Sequence, residues 1–130
     1  MSPRVPGPTI EAFESLDFDA GNFDHEAHVY VAWNYLQRYE LLESIGRYRK
    51  TLKRLTSSLG VPEKYHETIT WFYMIAVSQH SMMTAASDWP EFRAKNPELF
   101  ERSPGVIERF YSKSRLRSNE ARQSLLLPDL

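Results

Sequence analysis

Apolar residues along most of this chain recur every three or four positions, the spacing of one face of an α-helix. No run alternates apolar and polar residues between paired turn residues, as a half-exposed β-strand would. The pattern therefore predicts an all-α protein, an irregular helical bundle with three long helices and several short ones.

Capping residues predict where the helices begin and end. A short helix is expected to follow Thr9 and to run through Leu16. The three long helices are predicted to begin at Phe23 or Asp24 and end near Arg38, to span roughly Glu40 to Leu59 with Gly60 as the cap, and to run from Pro62 through His66 to about Ala86. The last of these is apolar around much of its circumference, which predicts the most buried helix.

The remainder of the chain predicts shorter elements. One helix should open at Ser87 or Asp88, and another should run from Ser103 to about Tyr111. One further helical turn is expected around 119–123. The three consecutive leucines that follow, at 125–127, predict a tail that either packs back on the domain or meets a partner.

Length and charge limit the classes of protein to which this chain can belong. A chain of 130 residues suits one core, so we expect a flexible lead at residues 1–8 and a single helical domain at residues 9–130. The 16 basic and 17 acidic residues leave a formal net charge of -1, which argues against nucleic acid as a partner. Cysteine is absent, which excludes disulfide frameworks and thiolate chemistry.

The N-terminal segment holds several prolines and lacks the apolar stretch of a secretory signal. No later run reaches the ~18 apolar residues that a spanning helix needs. These features predict a soluble, cytoplasmic protein without a membrane partner.

Three of the four histidines form the candidate site. His25 and His28 are three residues apart, so they lie on one face of the second helix, and that face should point inward. His66 is predicted on an inward face of the fourth helix. If the second and fourth helices pack with their N-terminal ends level, the three imidazoles meet. His80 is excluded, because it lies fourteen residues beyond His66, or ~21 Å along a helix.

Three interpretations of these histidines remain open. They could be core or capping residues bonded to neighbours. They could be the ligands of one divalent transition metal, zinc, copper or iron, with an open position for water or substrate. They could also belong to a metal-free pocket that binds a small apolar or aromatic ligand. The candidate walls of such a pocket are Trp33, Thr70, Trp71 and Tyr73.

Two segments carry a resemblance. The stretch Phe23-Asp24-His25-Glu26-Ala27-His28 and the stretch Tyr65-His66-Glu67-Thr68-Ile69-Thr70 resemble those of a group of small bacterial hypothetical proteins. The resemblance implies a compact bacterial protein of one domain and carries no catalytic assignment.

The sequence therefore predicts a small helical protein with a three-histidine metal site, and a metal-dependent enzyme acting on a small molecule is one form that it could take. The alternatives are a metal-free ligand-binding module and a protein-interaction module that uses the leucine tail. The same apolar tail also makes a homodimer plausible. Glycine-rich phosphate loops and serine nucleophile elbows are absent, so nucleotide and serine-hydrolase chemistry have no support.

Overall fold

The computed structural model describes residues 6–102 and 104–130, and within these ranges the regular elements are helices. Seven α-helices are present there, and the prediction of an irregular all-α bundle with three long helices is confirmed. The α-helices are α1 (Ile10–Glu14), α2 (His25–Arg38), α3 (Leu41–Ser58), α4 (Glu67–Thr84), α5 (Trp89–Lys95), α6 (Lys113–Arg117) and α7 (Asn119–Gln123). Short 3-10 helices lie at Ala20–Asn22, Pro62–Lys64, Pro97–Phe100 and Val106–Arg109. The first five residues of the expected lead, and Ser103, lie outside the described ranges.

Side-chain caps define most of the helix starts. Thr9 caps α1, and Asp24 caps α2 by accepting the N–H of Ala27. The carboxylate of Glu40 accepts two backbone N–H groups at the start of α3. Gly60 has the positive φ of 74° that the turn after α3 requires, so its predicted capping role is confirmed.

The predicted start of the fourth helix at Pro62 is wrong. Pro62–Lys64 forms a separate 3-10 turn, and the backbone is extended at Tyr65. The chain is also non-helical at His66, whose ring accepts the N–H of Ile69 and so caps α4 from outside. Because the capping residue His66 lies outside the helix, α4 begins only at Glu67.

The region after α5 also departs from the predicted elements. The helix expected up to Tyr111 is a single 3-10 turn, Val106–Arg109. The short helix α6 was not predicted, whereas the turn at 119–123 is confirmed as α7.

The three long helices enclose the core. α4 packs against both α2 and α3, and α2 packs against α3. Their inward faces supply Val29, Val31, Tyr35, Ile45, Tyr48, Met74 and Val77, and α1 and α5 add Phe13 and Phe92. Within the described ranges, no helix combines the length and the apolar character needed to cross a bilayer.

The C-terminal tail packs back on the bundle. The Thr68 hydroxyl oxygen lies 2.7 Å from the carbonyl oxygen of Ala121 and accepts the N–H of Leu126 at 3.1 Å. The Tyr111 hydroxyl donates to the carbonyl oxygen of Leu126 at 2.7 Å. The tail thereby closes over the first turns of α4, while the side chain of Leu127 stays 78% exposed.

Candidate functional site

A cavity of about 550 Å³ lies between α2, α3 and α4. Its walls are mostly apolar because the inward faces of all three helices contribute to it. The aliphatic part of the lining is Ala20, Val29, Ala32, Leu52, Leu55, Leu59, Val61, Ile69 and Met74, and the aromatic part is Phe23, Tyr48, Tyr65 and Tyr73. The buried members of this lining form the inner wall of the cavity.

The cavity opens between the end of α3 and the connection to α4. Leu59 and Lys64 belong to the lining and are both exposed, whereas Leu55, one turn before Leu59, is buried. Solvent therefore reaches the interior past Leu59 and Lys64.

All three candidate histidines line this cavity. The packing of α2 on α4 brings His25 and His28 to the same cavity as His66. The three rings differ in the hydrogen bonds that they already make, and this difference determines what each ring can do.

His25 is the first residue of α2, and one of its ring nitrogens is engaged. Its Nε2 lies 2.8 Å from the carbonyl oxygen of Leu99, so this nitrogen carries the proton and donates. The ring packs edge-on against Tyr73, with centroids 5.0 Å apart. Burial lowers the pKa of His25 below its ordinary value, which favours the neutral ring.

His66 uses both ring nitrogens. Its Nδ1 accepts the N–H of Ile69 at 3.2 Å, and its Nε2 donates to the carbonyl oxygen of Leu116 at 2.7 Å. Burial lowers the pKa of this histidine too. A neutral imidazole with one donor and one acceptor has no further capacity, so His66 ties α4 to the C-terminal segment.

His28 differs from both. Its ring packs edge-on against Phe23, with centroids 4.2 Å apart, and makes no hydrogen bond to another described residue. Burial, with a smaller contribution from the neighbouring His25, lowers its pKa to about 4. The ring is therefore neutral at pH 7, and it offers one donor and one acceptor to whatever occupies the cavity.

The residues predicted as metal ligands share a cavity without forming a ligand set. Across residues 6–102 and 104–130, no group of three or more His, Asp or Glu side chains is arranged to hold a metal ion. To bind a metal, His66 would have to release the N–H of Ile69 if it bound through Nδ1, or both of its hydrogen bonds if it bound through Nε2. The metal site at His25, His28 and His66 stays a prediction.

Most other polar groups of the lining are bonded within the protein. The Tyr48 hydroxyl donates to the carbonyl oxygen of His28 at 3.0 Å, and the Thr70 hydroxyl donates to the carbonyl oxygen of His66 at 2.8 Å. The Tyr65 hydroxyl donates to the carboxylate of Glu67 at 2.5 Å.

A charged pair supports that last hydrogen bond. Arg49 binds the Glu67 carboxylate through two nitrogens, at 2.8 and 3.2 Å. Burial acts to raise the pKa of Glu67, but the hydrogen bonds from Arg49 and Tyr65 lower it below its ordinary value. Burial and the Glu67 carboxylate raise the pKa of Tyr65. Tyr65 is therefore held as a neutral phenol whose hydroxyl is committed to Glu67.

The four predicted pocket walls fall into two groups. Thr70 and Tyr73 line the cavity, with Tyr73 directing its hydroxyl toward the turn at Gly105. Trp33 and Trp71 are not part of the lining. Trp33 is buried against Trp89, at a centroid distance of 5.7 Å, and Trp71 is half-buried on α4.

Sequence reasoning missed the contribution of α3 and the entrance. Tyr48, Leu52 and Leu55 follow the helical spacing of a core face, and that spacing does not distinguish a filled core from a cavity wall. Lys64 is not among the candidate residues that the sequence predicts, and Pro62, which starts the separate 3-10 turn before α4, is the signal that could have marked this connection.

Comparison of the chain with protein-family models, with curated proteins and with solved structures finds no match. The fold and the cavity define an all-α protein with an interhelical cavity. The resemblance to small bacterial proteins stays a prediction.

Proposed function

We propose that this protein binds a small, largely apolar molecule in the cavity between α2, α3 and α4, and that His28 anchors it. The observation that carries the proposal is an enclosed imidazole that faces the cavity without a hydrogen-bond partner among the described residues. A ligand hydroxyl or carbonyl would supply that partner.

Physical arguments favour this function. A volume of about 550 Å³ lies within the range of small-molecule sites, which are mostly apolar and contain few polar groups. Apolar walls stabilise a bound apolar group in proportion to the area that leaves water. A hydrogen bond between a ligand hydroxyl or carbonyl and the neutral His28 ring would add about 0.5–1.5 kcal/mol, the net value of one such bond.

The proposal can be tested with 1-naphthol, an apolar ring with one hydroxyl, titrated by fluorescence at pH 7.5. His28→Leu removes the hydrogen-bonding ring and keeps an apolar side chain, so we expect a loss of about three- to tenfold in affinity, the scale of one net hydrogen bond. Ala32→Leu, which adds bulk to the inner wall, should also weaken binding. His80→Leu is the matched control outside the cavity and should bind as the wild type does.

Two results would count against the proposal. Equal affinity in all four proteins would place 1-naphthol outside the cavity. Elemental analysis of protein purified without a histidine tag provides the second test. A stoichiometric transition metal that is lost in His28→Leu would favour the predicted three-histidine metal site over a metal-free pocket.

A further inference from the structure

The polar groups of the lining that remain available are few. The hydroxyls of Tyr48, Tyr65 and Thr70 donate to protein acceptors, and both ring nitrogens of His66 are engaged. Polar groups without such a partner within the described residues include the His28 ring and Nδ1 of His25 in the interior, and the Lys64 ammonium at the entrance. A ligand of this cavity can therefore bond to the protein both in the interior and at the entrance.

Lys64 is the one residue with a formal charge in the described lining, since the histidines are neutral at pH 7. It is exposed, and its ammonium forms no ion pair with another residue of 6–102 or 104–130. An unpaired cation at the edge of an apolar cavity attracts an anionic group that stays in contact with water.

The surroundings of Tyr65 are also cationic. The Lys53 ammonium lies 5.4 Å from the centre of the Tyr65 ring, another member of the lining. The Glu67 carboxylate beside Tyr65 is neutralised by the two hydrogen bonds from Arg49. Neither contact opposes an anion at Lys64.

We infer that the ligand is an apolar molecule with one anionic head group and one neutral hydrogen-bonding group, of which a medium-chain hydroxycarboxylate is the simplest example. Its hydroxyl would lie in the cavity beside His28, and its carboxylate would lie at the entrance beside Lys64. This inference rests on the proposed function and names the class of ligand.

The test compares octanoate with octanamide, which has nearly the same shape and no charge, by calorimetry at pH 7.5 and low salt. We expect octanoate to bind about two- to fivefold more tightly, the scale of an exposed ion pair. Lys64→Gln should remove this preference by weakening octanoate alone. Lys50→Gln, which changes an exposed lysine of α3 outside the lining, should keep it. Added salt should reduce the preference in the wild type.

Equal affinity for the two compounds, or failure of octanoate to bind, would overturn the inference. A preference that survives Lys64→Gln would also overturn it. A different result would overturn the proposed function itself, namely 1-naphthol binding that is insensitive to both His28→Leu and Ala32→Leu. Binding of 1-naphthol and octanamide without a charge preference would leave the cavity as a neutral ligand site.

Discussion

A histidine lies at each end of α4, and the side chains around the two histidines are packed differently. His66 precedes the first turn beside the cavity, and His80 lies in the last turns beside a filled cluster of aromatic rings. Near the first end, His28 faces open space without a partner. At the second end, Phe92 and Asn96 are fully buried.

At the second end the ring of His80 and the side chain of Asn96 are hydrogen-bonded, whereas the buried Ser81 hydroxyl has no partner among the described residues. The Nδ1 of His80 lies 2.8 Å from Oδ1 of Asn96 and 3.1 Å from a carboxylate oxygen of Glu98. The side-chain amide of Asn96 donates to the carbonyl oxygen of Phe92 at 2.9 Å and to the Thr84 hydroxyl at 3.2 Å. Such a network fixes the connection between α4 and α5 and leaves little capacity for a ligand.

The comparison separates two uses of histidine in one small fold. Where the ring is hydrogen-bonded to neighbours and the space is filled, the histidine links elements of the bundle. Where a neutral imidazole faces an apolar cavity, its hydrogen-bonding groups stay available to a ligand.

Removing a ring should destabilise the filled end far more than the cavity end. Phe92 is 0% exposed and packs against Trp33 and Trp89, so Phe92→Ala should lower the free energy of unfolding by about 3–5 kcal/mol. Phe23 is half-buried and borders existing space, so Phe23→Ala should lower it by about 1–2 kcal/mol. Urea denaturation at pH 7 measures both values. Similar losses would mean that the two ends are packed alike.

Acid should act mainly through His28. Its pKa is about 4 in the folded protein and ordinarily near 6.5, so the unfolded chain takes up a proton first as the pH falls. Above pH 6.5 the His28 ring is neutral in both the folded and the unfolded protein, and its contribution to stability is complete. As the pH falls from 6.5 toward 4, that contribution to the free energy of unfolding is lost. At about 1.4 kcal/mol per pH unit the loss reaches roughly 3 kcal/mol. The lowered pKa values of His25 and His66 act in the same direction.

The matched measurement is urea denaturation of wild type and His28→Leu at pH 7.0 and 4.5. Carboxylates titrate in both proteins, so the difference between them isolates His28. The variant should lose less stability on acidification and should be at least as stable at pH 7.0. An identical loss in both proteins would contradict the assigned pKa.

Sequence pattern was sufficient for most of the fold because the signals that define these helices are local. Asp24 before α2 and Gly60 after α3 act through neighbouring backbone groups, and their effects are readable from nearby residues. The sequence predicts His66 inside the fourth helix, and its position as a cap was missed because histidine is an uncommon capping residue. The second hydrogen bond of its ring reaches Leu116, fifty residues away. Contacts at that separation depend on tertiary packing, which spacing does not report.

The candidate site was predictable only in part for a related reason. The helical repeat placed His25 and His28 on one inward face, but it could not show that His66 would be fully engaged and His28 free of partners. Whether inward side chains meet one another or leave a cavity depends on the relative placement of α2, α3 and α4. The same apolar spacing predicts both outcomes.

The smallest effect concerns how α4 ends. At its start His66 supplies a side-chain cap, but at its end Ala85 takes the left-handed conformation, with φ 48°, which strains a residue that has a Cβ. Ala85→Gly should therefore raise the free energy of unfolding by about 0.5–1 kcal/mol, the relief of strain exceeding the entropy gained by the unfolded chain. The control is Ala94→Gly, at an exposed position in the last turn of α5, where glycine should destabilise by up to about 1 kcal/mol. Thermal unfolding should show shifts of opposite sign. Two shifts of the same sign would mean that Ala85 is not strained.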